Sequence, residues 1–164
     1  MKKIIWILLA LTFTFLSCED DEEQNFTIPD GLVGTWYLES PDAFFCQSKE
    51  YSLLTFTKEN SQNGFFEDSY IGDYLTENVF VVLEATKGSF TRKDNKLYPI
   101  PSHYGSQIAF DEISTTDTTV WWGPEDTLFD NFEYYQEVCF RLNGSILEIS
   151  INDNPFEIYT RISE

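Results

Sequence analysis

The sequence predicts an all-β fold, an antiparallel up-and-down barrel of about eight to ten strands. Three observations carry that expectation. Aromatic residues are abundant, with 15 Phe, 9 Tyr and 4 Trp, and they suit the pleated, half-buried surface of a strand. Short alternating runs recur at spacings of about 8 to 15 residues, with turn residues between them. No stretch sustains the 3.6-residue period of an amphipathic helix. That pattern fits a barrel or a sandwich, and barrel closure would also hide the edges that so sticky a set of strands must protect.

Each element has its own signature. LVGTWYLES, Leu32 to Ser40, alternates and forms a first strand. YSLLTFT, Tyr51 to Thr57, is a second, ended by the polar turn KENSQNG. A weaker strand runs near Phe65 to Tyr74, and VFVVLEA, Val79 to Ala85, is a clear one. In GSFTRKDNKLYPI, Ser89 to Arg92 and Leu97 to Ile100 flank a Lys-Asp-Asn-Lys turn, and Ser106 to Ser114 adds another strand. YYQEVCFRLNGSILEISI is the clearest hairpin. Its Asn143-Gly144 pair supplies the positive φ of a type I′ turn. Val138, Phe140 and Leu142 share one face there, and Glu137, Cys139 and Arg141 the other. INDNPFE, around Asp153, reads as a turn before a last strand from Phe156 to Ile162.

The first thirty residues carry an address. Lys2 and Lys3 precede an apolar run from Ile4 to Leu16. A membrane span needs roughly 20 apolar residues, so this shorter run reads as a secretory signal. Phe15-Leu16-Ser17-Cys18 resembles the lipobox of bacterial lipoproteins, in which the cysteine is acylated and becomes the first mature residue. Phe15 and Leu16 depart from the Leu and small residue of the consensus, as in many lipoproteins of Bacteroidota. An ordinary signal peptide with an unmodified Cys18 is the alternative. The five acids from Glu19 to Glu23 repel one another and stay solvated, as a tether would. Their place after the cysteine resembles the signal that sends such lipoproteins to the outer face of the outer membrane. The resemblance implies a lipid anchor at Cys18 and a cell-surface location, with a periplasm-facing anchor as second choice. Residues 1–17 are then the signal peptide, 18–30 the lipidated cysteine and acidic tether, and 31–164 the folded domain.

Within that domain, LVGTW resembles the glycine-x-tryptophan signature that opens the first strand of lipocalins. The order G-T-W, LLTFT, NKLYPI, GSILEIS and a terminal Tyr-x-Arg is similar to small lipocalin-like lipoproteins of Bacteroidota. The resemblance implies that Trp36 packs across the closed end of the barrel with Arg161 over its ring, and that Gly34, Trp36 and Arg161 are architecture. The threonine-aspartate-tyrosine motif of lipocalins is missing, since IGDY at 71 to 74 lacks the threonine and comes too early.

The chemistry excludes more than it assigns. Loss of Lys2 and Lys3 takes the formal charge from −18 to about −20, which repels nucleic acid and anionic lipid headgroups. His103 is the one histidine, so a two-histidine metal site is ruled out and any triad would rest on it. Its setting, YPIPSHYGS, has no nucleophile elbow and reads as a loop. No metal, cofactor or catalytic residue is expected. Cys46 and Cys139 could pair in an oxidising compartment or stay as separate buried thiols, and Arg141 stands close enough in sequence to lower the Cys139 pKa. The stretch DTTVWWGPEDTLFDNFEYY sets Trp121 and Trp122 side by side before a Gly-Pro turn, with Phe129, Phe132 and Tyr134 behind them. Adjacent strand residues face opposite ways, so one indole at most should enter the core. An exposed indole flanked by carboxylates is suited to sugar stacking; the bland alternative is a loop folding its aromatics over the barrel mouth. These features give a membrane-anchored, non-catalytic binding protein whose ligand is a small apolar molecule or a glycan. The alternative is an accessory subunit of a cell-surface complex with a filled barrel.

Overall fold

The computed structural model describes residues 26–40, 49–73, 79–109, 114–126 and 137–162. A 3-10 turn at Asp30–Leu32 precedes nine strands among these residues. They are β1 (Gly34–Glu39), β2 (Glu50–Lys58), β3 (Asn63–Asp73), β4 (Phe80–Lys93), β5 (Lys96–Ala109), β6 (Ser114–Trp122), β7 (Val138–Asn143), β8 (Ile146–Ile151) and β9 (Glu157–Arg161). Cys18 and its acidic run, Cys46, Phe129, Phe132 and Tyr134 lie outside the described residues.

Eight strands close an antiparallel barrel of the lipocalin-like, up-and-down kind. β1 to β5 pair in chain order, β5 meets β7, and β7, β8 and β9 return the sheet to β1. β6 stays outside this ring. It lies on the same edge of β5 as β7, against Tyr104 to Ala109, whereas β7 holds Lys96 and Leu97. β6 and β7 therefore act as two halves of one wall strand, separated in sequence by residues 123–137. Among the described residues, no strand covers β5 between 98 and 103 on that edge.

The sequence solves this gap with proline. The Phe140 N–H donates to the Asn95 carbonyl at 2.9 Å, so the odd-numbered residues at the start of β5 turn their backbone groups toward β7. Pro99 and Pro101 continue that series. Their missing N–H groups would have faced the gap, where a central strand would need them and an edge does not. The same prolines made YPIPSHYGS read as a loop. It is strand, so the expected pieces Leu97–Ile100 and Ser106–Ser114 are one element, β5, which ends at Ala109. Val79–Ala85 and Ser89–Arg92 likewise fuse into the 14-residue β4, and β5 bulges at Ser102 opposite Lys87 and Gly88. A Cβ on Gly88 would stand 2.2 Å from the Ile100 carbonyl oxygen, so no side chain fits there.

One turn differs from expectation in kind, and the turn expected around Asp153 is present. In the β7–β8 hairpin Asn143 still pairs with Ile146, so the turn residues are Gly144 and Ser145. Only Gly144 has positive φ, at 60°, the pattern of a type II′ turn. The type I′ pattern lies at Asn152-Asp153 (φ 49° and 63°), closed by Asn154 N–H to Ile151 O at 3.0 Å.

The interior is packed by Trp36, Leu54, Phe56, Phe66, Phe90, Leu97, Val138, Phe140, Leu147, Ile149 and Tyr159. The segment before β1 plugs one end. Ile28 and Leu32 are buried there, and Lys58 holds the segment through the Ile28 carbonyl and the Asp30 carboxylate. Trp36 is fully buried and donates from Nε1 to Leu32 O at 3.0 Å. The Arg161 guanidinium stands 5.4 Å from the Trp36 ring, and donates to Val33 O at 2.6 Å and Gly31 O at 3.4 Å. Gly34 has φ +135°, and a Cβ there would meet Arg161 Nη2 at 3.0 Å. The glycine of G-T-W thus supplies both the backbone conformation and the room for the guanidinium.

Candidate functional site

The barrel interior offers little room. Among the described residues its cavity holds about 30 Å³, between Phe56, Phe66, Phe90, Leu97, Pro99 and Val138. That is the share of about one water molecule in the liquid, against roughly 300–1,000 Å³ for a small-molecule pocket. Among the described residues, side chains fill most of the space a carried ligand would need.

The two indoles divide as the strand alternation requires. Trp122 pairs with Tyr104 across β6 and β5 and stacks on its ring at 5.8 Å, on the face continuous with the interior. Trp121 pairs with Gly105 and lies on the outer face. A Cβ on Gly105 would come 2.7 Å from Trp121 Cε3, so glycine lets the indole lie flat on the sheet. The ring reaches across β5 to β4, where Lys87 Nζ stands 3.8 Å from its centroid.

Beside this indole the outer wall carries a groove of about 500 Å³. Cross-strand register builds it. Thr55 on β2, Glu67 on β3, Lys87 on β4 and His103 on β5 form one row. Thr57, Phe65 and Ser89 form the next, with Phe65 48% exposed. The polar groups are held in place. Ser102 Oγ donates to Lys87 O at 3.2 Å and lies 2.9 Å from His103 Nδ1. Ser102 Oγ thus bridges the Lys87 carbonyl and the Nδ1 side of His103, which leaves Nε2 turned away from that contact. Glu67 Oε1 accepts from Ser69 Oγ at 3.3 Å. The groove combines an apolar ring, hydroxyls, a carboxylate, an ammonium and an imidazole, a set suited to a polyhydroxylated ligand.

The other expected residues are placed separately. The turn after Trp122 is closed by Asp126, which accepts from Gly123 N–H at 2.8 Å. Cys139 is a free, half-buried thiol on β7 that donates to Glu137 Oε1 at 3.7 Å. Burial, and then the Glu137 carboxylate, pushes its pKa up. Arg141 does not lower it; its guanidinium lies on Glu148 at 3.4 Å and over the Phe156 ring at 4.1 Å. Among the described residues no three His, Cys, Asp or Glu side chains converge as metal ligands would.

Sequence reasoning singled out Trp121 but missed Phe65, Glu67 and Lys87, and set His103 in a loop. No linear motif could have found them, because they meet only through the registers of four strands. Comparison with known proteins finds no match to a family model, to a curated protein or to a solved structure.

Proposed function

We propose that this chain is a membrane-anchored, non-catalytic binding lipoprotein of the small lipocalin-like type, and that it holds a glycan on its outer wall rather than a ligand in its barrel. The contrast between an interior of about 30 Å³ and an outer groove of about 500 Å³ carries the reading. It speaks against an apolar cargo and for a sugar, the ligand class that the groove's hydroxyls, Glu67 and the exposed Phe65 ring suit. The lipobox-like Phe15 to Cys18 and the acids Glu19 to Glu23 support a lipid anchor and display at the cell surface. In that setting a binding face on the wall stays accessible while the plugged end and tether face the membrane.

The test is a titration of the isotope-labelled protein with a panel of di- and trisaccharides, followed by amide shifts. Saturable shifts confined to the backbone around Glu67, Lys87 and His103 are expected. Shifts confined to core residues such as Phe90 and Ile149 would place the ligand inside and refute the reading.

A second reading, an accessory subunit of a surface complex, is favoured by one observation. Tyr37, Ile146, Ile158 and Phe156 are all exposed on the β8–β9–β1 side, at 36%, 40%, 56% and 37%. Exposed apolar clusters of that kind mark protein contacts. Co-purification of a defined partner that Ile158→Glu abolishes would support it.

A further inference from the structure

Among the described residues, six of the eight lysines and arginines of this acidic chain are engaged with oxygen. Lys49, Lys58, Lys96 and Arg141 each pair with a carboxylate, and Arg161 is spent on two carbonyls. Lys87 is different. Glu67 stands directly opposite it in the β3–β4 register, yet the two form no ion pair, and the ammonium rests over the Trp121 ring instead. Lys93 is the other described lysine without an ion pair, and of the two only Lys87 lines the groove. An indole face holds an ammonium without consuming its three N–H donors, so Lys87 is positioned at the groove with its hydrogen-bonding capacity intact.

Resting on the glycan reading above, we propose that the groove selects an oligosaccharide bearing one uronic acid residue, with the sugar carboxylate on Lys87 Nζ. The hydroxyls of the sugar meet Thr55, Ser89 and the Nε2 of His103, and its apolar edge meets Phe65. The surrounding charge limits the ligand to a single acid. At physiological salt, fields fade over about 8 Å, so one carboxylate is bound by its contact with Lys87, while a run of them would extend into the repulsion of the remaining surface. Glu67 favours the hydroxyl-bearing part of the ligand and keeps the carboxylate at the Lys87 end.

The experiment compares matched pairs that differ only at C6 of the terminal sugar: cellobiouronic acid against cellobiose, and galacturonosyl-β1,4-glucose against lactose. Affinity is read by calorimetry and amide shifts on the whole folded protein. The acid of at least one pair should bind about 10- to 100-fold more tightly than its neutral partner, the scale of one charge-assisted hydrogen bond. Lys87→Met should erase that preference with an unchanged amide spectrum elsewhere, Lys87→Arg should keep part of it, and Glu67→Gln should not weaken the acid. Equal binding of acid and neutral partner would overturn the carboxylate assignment and leave the glycan reading standing. A preference that survives Lys87→Met would overturn the role of Lys87. Failure of all four sugars to bind would overturn both.

Discussion

Replacing Arg161 by methionine should unlatch the plugged end of the barrel. The substitution keeps the aliphatic stem and removes the guanidinium, so what is lost can be itemised. The bond to Val33 O, at 2.6 Å, is a short one from a charged donor, a class that contributes about 1.5–3 kcal/mol. The bond to Gly31 O, at 3.4 Å, adds little. The ring contact with Trp36 at 5.4 Å is near the outer limit of a cation–π interaction and contributes about 0.5–1 kcal/mol. The sum is about 2–4 kcal/mol, and at about 3–5 °C per kcal/mol for a domain of this size the Tm should fall by about 10 °C. Any lost cation leaves this chain more negative, so Arg141→Met is the control. Arg141 holds Glu148 and lies over the Phe156 ring, both on the surface, and each such exposed contact contributes at most about 1 kcal/mol. Differential scanning calorimetry of both variants separates the latch from the charge. If Arg161→Met melts within about 2 °C of Arg141→Met, the clasp of Arg161 over Trp36 contributes nothing and the reasoning fails.

Burial, and then Glu84, pushes the Tyr104 phenol up to about 12. Its folded pKa lies above the usual value near 10, so its contribution to stability is complete below about pH 10 and is lost as pH rises toward 12. Urea unfolding across that window should show the decline, and Tyr104→Phe should flatten it. Gly105→Val sets a Cβ 2.7 Å from Trp121 and should lift the indole off the sheet. The readouts are a red shift in tryptophan emission and a stability loss of about 1–3 kcal/mol. Phe90→Ala, at a residue 1% exposed beside the internal cavity, should cost about 3–5 kcal/mol. It should also open a dry hole that takes up xenon, which the parent protein does not. Xenon uptake by the parent would contradict the filled interior.

The parts of the fold that were legible in the sequence are those fixed by near neighbours. The β7–β8 hairpin declares its two faces by alternation, and the opposite faces of Trp121 and Trp122 follow from adjacency within a strand. G-T-W and the late Tyr-x-Arg lie far apart in sequence, yet the resemblance to a known barrel joined them, and Arg161 does stand over Trp36. What was hidden depends on partners the sequence does not name. Prolines read as breakers unless the missing partner on that edge is known, which broke β5 in two. β6 escaped because its threonine-rich middle is irregular. Val120 pairs with Ser106 and Thr115 with Ile108, so residues 116–119 loop out opposite Gln107. Such a bulge also spoils the strand as a template for unwanted pairing. The groove was the least legible, since residues 55, 67, 87 and 103 become neighbours only after three registers are set.

The barrel is closed by two narrow seams. β9 meets β1 through Trp36–Arg161 and Tyr37–Thr160, and β7 meets β5 through Lys96–Cys139 and Leu97–Val138. β2 and β3, by contrast, share nine paired positions from Glu50–Gly72 to Lys58–Gly64. Among the described residues, the β7–β8–β9 meander is therefore joined to the rest by four paired positions and two flanking bonds, Phe140 N–H to Asn95 O and Ile162 N–H to Thr35 O. Its amides should therefore exchange ahead of those of β2 and β3 in a hydrogen-exchange experiment. Breathing of this kind gives the molecule a weak side and a strong side, and the groove lies on the strong one.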